Sequence, residues 1–277
     1  MLDLPLFPGE PAFREMVRAR GVDLYRDMPW RHVDDPYAVL VSEVMLQQTQ
    51  VPRVIPKYRE WMVDFPTLDA LAAAPLACVL ERWQGLGYNR RALALKRAAE
   101  QVSLESGGVL PSDPMALRVL PGIGPATAAA VANYAFRVPT PFIETNVRAV
   151  YLHHLFADAD GVSDRDLRPV VERTWDRDDP RGWGYALMDY GSWLKRAFPN
   201  PSRRSSHHTR QSPFEGSRRQ KRARLLRAVM DGPGATAAEY AVEIGLGEPF
   251  VLELLEELEG EGFLSRTGVG GGWTIGE

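Results

Sequence analysis

Leu120-Pro121-Gly122-Ile123-Gly124 runs directly into an alanine-rich stretch, Pro125 to Phe136, and that junction constrains the fold more than any other part of the chain. Glycine tolerates positive φ and lets a ligand approach closely, and the proline that follows suits the first turn of a helix. Two helices joined through Gly122-Ile123-Gly124 can aim bare backbone N–H groups at a phosphate, which the positive end of a helix dipole also favours. The candidate phosphate contacts are Gly122 and Gly124, with Ala126 and Thr127 in the turn that follows. Twenty residues beyond Gly124 stands a carboxylate, in Glu144-Thr145-Asn146.

The rest of the chain reads as helix almost throughout, so the expected class is all-α. Asp35-Pro36, Ser112-Asp113-Pro114 and Ser163-x-x-Asp166 are helix openers, pairing a capping side chain with a first-turn proline or acid. Helical spacing is plain in Leu68, Leu71, Ala72, then Val79, Leu80, Trp83, and again in Leu93, Leu95, Ala98, Ala99 and Val102. From Phe198 to Ser217 there is no periodicity and much Ser, Arg, Pro and His, which predicts a connecting loop. Beyond it, Arg222 to Met230, Ala235 to Ile244 and Pro249 to Leu258 predict three helices, followed by two short strands around a glycine-rich turn, the order of a winged helix. The expected organisation is a helical domain over residues 1–200, a basic linker over 201–218 and a small module over 219–277.

A length of 277 residues with 45% hydrophobic content suffices for a sizeable core. No apolar run is long enough to span a membrane, and Met1-Leu2-Asp3-Leu4 lacks the basic and apolar regions of a secretion signal, so a cytoplasmic, nucleoid-associated protein is expected. One cysteine, Cys78, excludes disulfides within the chain and cysteine-ligated metals, and its helical setting predicts a small buried hydrophobe. His153-His154 and His207-His208 are adjacent pairs that share no helix face, which predicts surface or phosphate-contacting groups without metal.

Net charge of −3 argues against a nucleic-acid partner only until it is divided along the chain. Lys195 to Arg224 holds ten basic residues and one acidic, whereas Leu225 to Glu277 holds two basic and ten acidic. The first stretch is the electrostatic footprint a polyanion needs. In the second, the third helix of the module carries Glu253, Glu256, Glu257, Glu259 and Glu261, which would repel phosphate, so packing or a protein partner is the expected role.

Two acids carry the candidate chemistry. Glu43 lies within Ser42-Glu43-Val44-Met45-Leu46 and follows Val39 and Leu40. Apolar surroundings raise a carboxyl pKa, so Glu43 can donate a proton near neutral pH. Glu144 immediately precedes a helix, whose dipole and N–H groups are expected to keep it ionised. One protonated and one charged carboxyl suffice to cleave a glycosidic bond, the first protonating the leaving group and the second steadying the cationic sugar or activating water.

Met28-Pro29-Trp30-Arg31, Asp35-Pro36-Tyr37, Ser42 to Val51, Trp83-Gln84-Gly85-Leu86-Gly87-Tyr88, the Leu120 to Gly124 hairpin and Asn146-Val147-Arg148 together resemble the helix-hairpin-helix DNA glycosylases, specifically the MutY type of adenine glycosylase. The likeness covers about residues 10 to 200. It implies two helical lobes, a duplex bound at the hairpin and a nucleotide flipped out of the stack. It also implies that Glu43 protonates adenine at N7 and that Glu144 stands where the family has its catalytic aspartate. Gln48, Thr49 and Tyr88 resemble the wedge that fills the gap in the duplex, while Trp30, Arg31, Asn146 and Asp189 resemble base-pocket residues. The partner implied is double-stranded DNA with a mismatch or lesion, bound by a monomer.

The chain departs from the family pattern at several points. Glu144 is one methylene longer than aspartate. Lys195 to Arg222 contains no cysteine, so no iron–sulfur cluster is expected, and Arg203, Arg204 and Arg210 are assigned its DNA-contacting service; a monovalent or divalent cation can still sit at the hairpin. Ala126 occupies the position of the lysine that performs strand cleavage in relatives resembling endonuclease III, which predicts base release alone. The large C-terminal domain that recognises 8-oxoguanine is replaced by the short acidic module. The expected activity is excision of adenine opposite 8-oxoguanine or G. Excision of uracil, mismatched thymine or an alkylated purine, and binding of distorted DNA without cleavage, are the alternatives.

Overall fold

The computed structural model describes residues 9–157, 159–206, 213–268 and 271–277. In chain order its helices are α1 (Glu10–Asp23), α2 (Pro36–Leu46), α3 (Val51–Asp64), α4 (Leu68–Ala73), α5 (Leu76–Trp83), α6 (Arg90–Ser106), α7 (Pro114–Leu117), α8 (Pro125–Phe136), α9 (Thr145–Leu155), α10 (Asp164–Thr174), α11 (Pro180–Ala197), α12 (Arg218–Asp231), α13 (Ala237–Ile244) and α14 (Glu248–Glu261). An antiparallel pair, β1 (Leu264–Arg266) and β2 (Trp273–Ile275), follows, with Ser265 opposite Thr274. Among the described residues no helix is long and apolar enough to cross a membrane.

The expected caps do their work. Asp113 accepts from the Met115 amide, Asp35 from the Tyr37 amide, and Ser163 and Asp166 close a reciprocal capping box that fixes the start of α10. Gly107 and Gly245 end α6 and α13 in the left-handed region, where a side chain would be strained.

The chain packs as two units, each assembled from two separated stretches. One lies within Met1–Val44 and Leu110–Arg210. Its core gathers Phe13 and Val17 from α1, Val39 from α2, Val147, Val150 and Tyr151 from α9, and Trp183, Leu187 and Leu194 from α11. Helix α11 lies hard against the first turn of α9: a Cβ on Gly191 would run into the Asn146 carbonyl oxygen, so only glycine fits there. Asn133, fully buried on α8, donates to the Ala129 carbonyl at 2.7 Å and to the Thr140 carbonyl, and its oxygen accepts from the Thr140 amide and the Trp175 indole. That satisfied amide pins the extended segment leading into Glu144.

The second unit lies within Met45–Val109 and Gln211–Glu277. Trp61 and Trp83 meet edge to face at 5.5 Å in its α3–α5 core. The three helices and hairpin of the acidic module belong to this unit, and the glutamates explain why. Glu253 and Glu257 bind Arg218, Glu257 and Glu261 bind Arg222, and Glu261 also accepts from Arg90 of α6 at 2.8 Å. Arg97 donates to the Glu261 carbonyl at 2.9 Å. The acids of α14 therefore serve internal packing, neutralising arginines of α12 and α6.

Two expectations need correction. Cys78 is exposed, because α5 buries Leu76, Val79, Leu80 and Trp83 and turns position 78 outward. His154 is half-buried and already engaged: it shares a hydrogen bond of 2.7 Å with the Tyr190 hydroxyl, and burial lowers its pKa to about 4. His207 and His208 lie outside the described residues.

Candidate active site

Helix α2 is apolar on nearly every side. Val39, Leu40, Val41, Val44 and Met45 are buried, and Glu43 is its one acid. Removal from water pushes the Glu43 carboxyl up to about 8, the charge of Glu144 adds to the rise, and Arg31 opposes it. Glu43 is therefore largely protonated at neutral pH, and it shares its surroundings with the second acid.

Glu144 is the N-cap of α9. One carboxylate oxygen accepts from the Asn146 amide at 2.6 Å and the Val147 amide at 2.8 Å, while the other lies 3.3 Å from the Asn146 side-chain nitrogen. The longer arm is folded back onto the helix it caps. The two amides and the fields of Lys195 and Arg148 favour its ionised form, as expected, but burial outweighs them, and its pKa is raised above the ordinary carboxylate value.

Arg31 and Asp189 are a buried ion pair of the same unit. Arg31 donates to both oxygens of Asp189 at 2.6 and 2.8 Å, and Arg26 reaches the same carboxylate at 2.6 Å. Asp189 thus acts through Arg31. The Arg31 guanidinium lies over Tyr185 at 4.3 Å, and Tyr185 stacks on Tyr134 at 4.4 Å. Trp30 is buried in the 3-10 turn Pro29–Arg31 that delivers Arg31. Asn146 holds Glu144 and also approaches the Met188 sulfur. This unit therefore brings together Trp30, Arg31, Glu43, Glu144, Asn146 and Asp189. Sequence reasoning missed Tyr134, Tyr185 and Lys195, which no motif marks.

The hairpin behaves as its sequence suggests. Leu120 and Ile123 are buried and anchor the turn, and Gly122 takes φ +73°. Gly124 caps α8 in extended conformation, with open space where a Cβ would stand, so neither its backbone conformation nor its neighbours demand glycine there. Gly122, Gly124 and Ala126 are exposed and Thr127 is half-buried.

In the second unit Gln48, Thr49 and Tyr88 are drawn together by Arg91, another residue without a sequence signal. Its guanidinium donates to the carbonyls of Met45, Gln47, Leu86 and Gly87 and to the Thr49 hydroxyl, tying two loops at once. Gln48 and Tyr88 both adopt positive φ, 56° and 50°, which non-glycine residues rarely hold without such restraint. Arg219 of α12 donates to the Tyr88 hydroxyl at 2.7 Å.

The basic stretch divides. Arg203 is exposed, whereas Arg204 donates to the Leu152 and Phe156 carbonyls at 2.6 and 2.8 Å and also to Ala157. A guanidinium spent on the end of α9 is a structural clamp, which corrects its assignment as a DNA contact. Arg204→Ala is expected to lower stability by about 1–3 kcal/mol in denaturant unfolding, with the salt dependence of DNA binding unchanged. Arg210 lies outside the described residues.

Residues 41–174 match the HhH-GPD superfamily of base excision DNA repair proteins. The chain is 36% identical over 244 residues to an adenine DNA glycosylase of Mycobacterium tuberculosis, covering 79% of this chain and 76% of that protein. It is 33% identical over 267 residues to an adenine DNA glycosylase of Mycolicibacterium smegmatis, covering 88% and 90%. Among solved structures, a thermostable thymine-DNA glycosylase superposes with a TM-score of 0.60 at 26% identity, over 66% of this chain and 86% of that one. With the hairpin, the paired carboxyls and these relatives together, the chain belongs to the helix-hairpin-helix DNA glycosylases and, within them, to the adenine DNA glycosylase group.

Proposed function

We propose that the chain is a monofunctional DNA N-glycosylase of base excision repair that releases adenine mispaired with 8-oxoguanine or G. The observation that carries this reading is the pair of coupled carboxyls, Glu43 with a pKa near 8 and Glu144 anchored at the head of α9. Glu43 gives its proton to the flipped base, which weakens the glycosidic bond. Glu144 then faces the cationic sugar and the water that attacks it. Ala126 offers no amine, so the product is an abasic site on an intact strand, and a chain with a single cysteine cannot supply the thiolates that hold an iron–sulfur cluster.

A second reading, release of thymine or uracil opposite G, is favoured by the structural likeness to a thymine-DNA glycosylase and by the longer carboxylate arm at position 144. Single-turnover assays on duplexes with A opposite 8-oxoguanine, A opposite G, T opposite G, U opposite G and alkylated purines decide between them. Adenine release faster than that of every other base is the expected result. A protein that binds these duplexes and leaves no alkali-labile site on any of them overturns both.

The rate is expected to be bell-shaped in pH. It falls above about 8, where Glu43 loses the proton it must donate, and falls again in acid, beginning above the ordinary carboxylate range, as Glu144 becomes neutral. A rate that keeps rising to pH 10 contradicts the assignment of Glu43.

A further inference from the structure

Helix α8 carries a polar atom that finds no hydrogen-bond partner among the described residues. Tyr134 is 2% exposed, and its hydroxyl is buried without a hydrogen-bond partner. The ring has little freedom. It stacks on Tyr185 with an interplanar angle of 19°, meets Phe142 edge on at 6.1 Å, and lies against Gly184, where a Cβ would come within 2.7 Å of the ring and 3.1 Å of the hydroxyl oxygen. A phenylalanine would fill the same space without stranding a donor.

The groups whose charges act on this hydroxyl are Glu43 from α2, Glu144 at the head of α9, Tyr185 from α11 and Arg31 from the 3-10 turn, with Lys195 and Arg148 facing Glu144 in turn. Arg31 Nε is another buried donor without an acceptor among the described residues. Burial, reinforced by the two acids, holds the phenol protonated, so it remains a donor at every working pH. What it lacks is an acceptor.

We propose that Tyr134 is a positioning residue whose hydroxyl donates to Glu43 once that carboxyl has surrendered its proton, steadying the new anion beside Glu144. The inference rests on the reading of Glu43 as the acid. In the step concerned, the Glu43 O–H bond breaks, the proton passes to a ring nitrogen of the leaving base, and the electron pair stays on the carboxylate. Two anions then share one site. The Tyr134 O–H bonds to the new one without giving up its own proton, a charge-assisted hydrogen bond made only as the reaction proceeds. An interaction absent from the ground state and present in the transition state speeds the reaction.

Tyr134→Phe tests this in the full chain. A donor that serves only the ionised form lowers the pKa of Glu43, so its removal raises it. With ¹³C-carboxyl-labelled glutamate, and the Glu43 signal assigned by its loss in Glu43→Gln, the titration midpoint of Glu43 is expected to rise by about one pH unit or more. The single-turnover rate constant is expected to fall by about tenfold or more, with its alkaline limb displaced in the same direction, while the variant melts a few degrees higher because the stranded hydroxyl is gone. An unchanged Glu43 titration, or an unchanged rate, overturns the proposal, and a purely structural tyrosine gives that result together with the higher melting point. The titration needs no substrate: if it shifts while the wild-type protein releases no base from any duplex, the hydrogen bond stands and the acid role of Glu43 fails.

Discussion

Glu43→Gln is expected to lower the single-turnover rate of base release by roughly 10²- to 10⁴-fold, the range that a positioned general acid supplies, while the affinity for the same duplex stays within about twofold. The amide keeps the shape of the side chain and loses only its transferable proton. The same substitution carries a stability signature of opposite sign. A carboxyl whose pKa is raised in the folded state from 4.5 to about 8 is bound to a proton more tightly there than in the unfolded chain, so it disfavours folding increasingly as pH rises between those values. Below about pH 4 both states hold the proton and the effect vanishes. The variant is thus expected to melt higher than the parent at pH 8 and equally at pH 4. A variant that releases base at the parental rate, or one that is less stable at pH 8, removes Glu43 from the mechanism.

Asp189→Ala carries the largest expected loss of stability. Asp189 is buried and accepts from both Arg31 and Arg26, and its removal leaves the Arg31 guanidinium buried at 7% exposure with only the Arg26 carbonyl as acceptor. Breaking a buried pair from one side costs about 3–5 kcal/mol, because the remaining charge is stranded away from water. Against a total of roughly 5–15 kcal/mol, such a loss removes much of the stability of the unit that holds both acids. Asp189→Asn, which retains one acceptor oxygen, is expected to lose less. Chemical unfolding of both variants checks the order, and a cost below about 1 kcal/mol for the alanine variant means that the pair does not hold Arg31 in place.

How much of this was written in local sequence depends on the distance over which each feature is determined. The start of α2 follows from Asp35-Pro36, the turn at Gly122 from its own φ, and the capping position of Glu144 from the helix after it; each is settled within a few residues. The elevated Glu43 pKa was legible for the same reason, since its apolar neighbours lie on its own helix. Glu144 was read only halfway. Its amide partners are local, but the burial that outweighs them comes from packing against distant chain. Asp189 could be named from the resemblance, yet its partner Arg31 is 158 residues away. Tyr134 sits in an alanine-rich helix where an aromatic side chain reads simply as core. Arg91 and Arg204 look like ordinary surface charge, because which carbonyls an arginine finds is decided after the loops around it close.

The interleaving of the two units bears on how the polypeptide is made. Residues 45–109 leave the ribosome before the segment within Gln211–Glu277 that completes their unit exists. At about 5–20 residues per second that interval lasts on the order of 5–20 s, far longer than helices take to form. For longer than that Arg90 and Arg97 await Glu261, and Tyr88 awaits Arg219. A ribosome that stalls before Arg219 is made therefore leaves the Tyr88 loop without its clasp, although both acids were added long before.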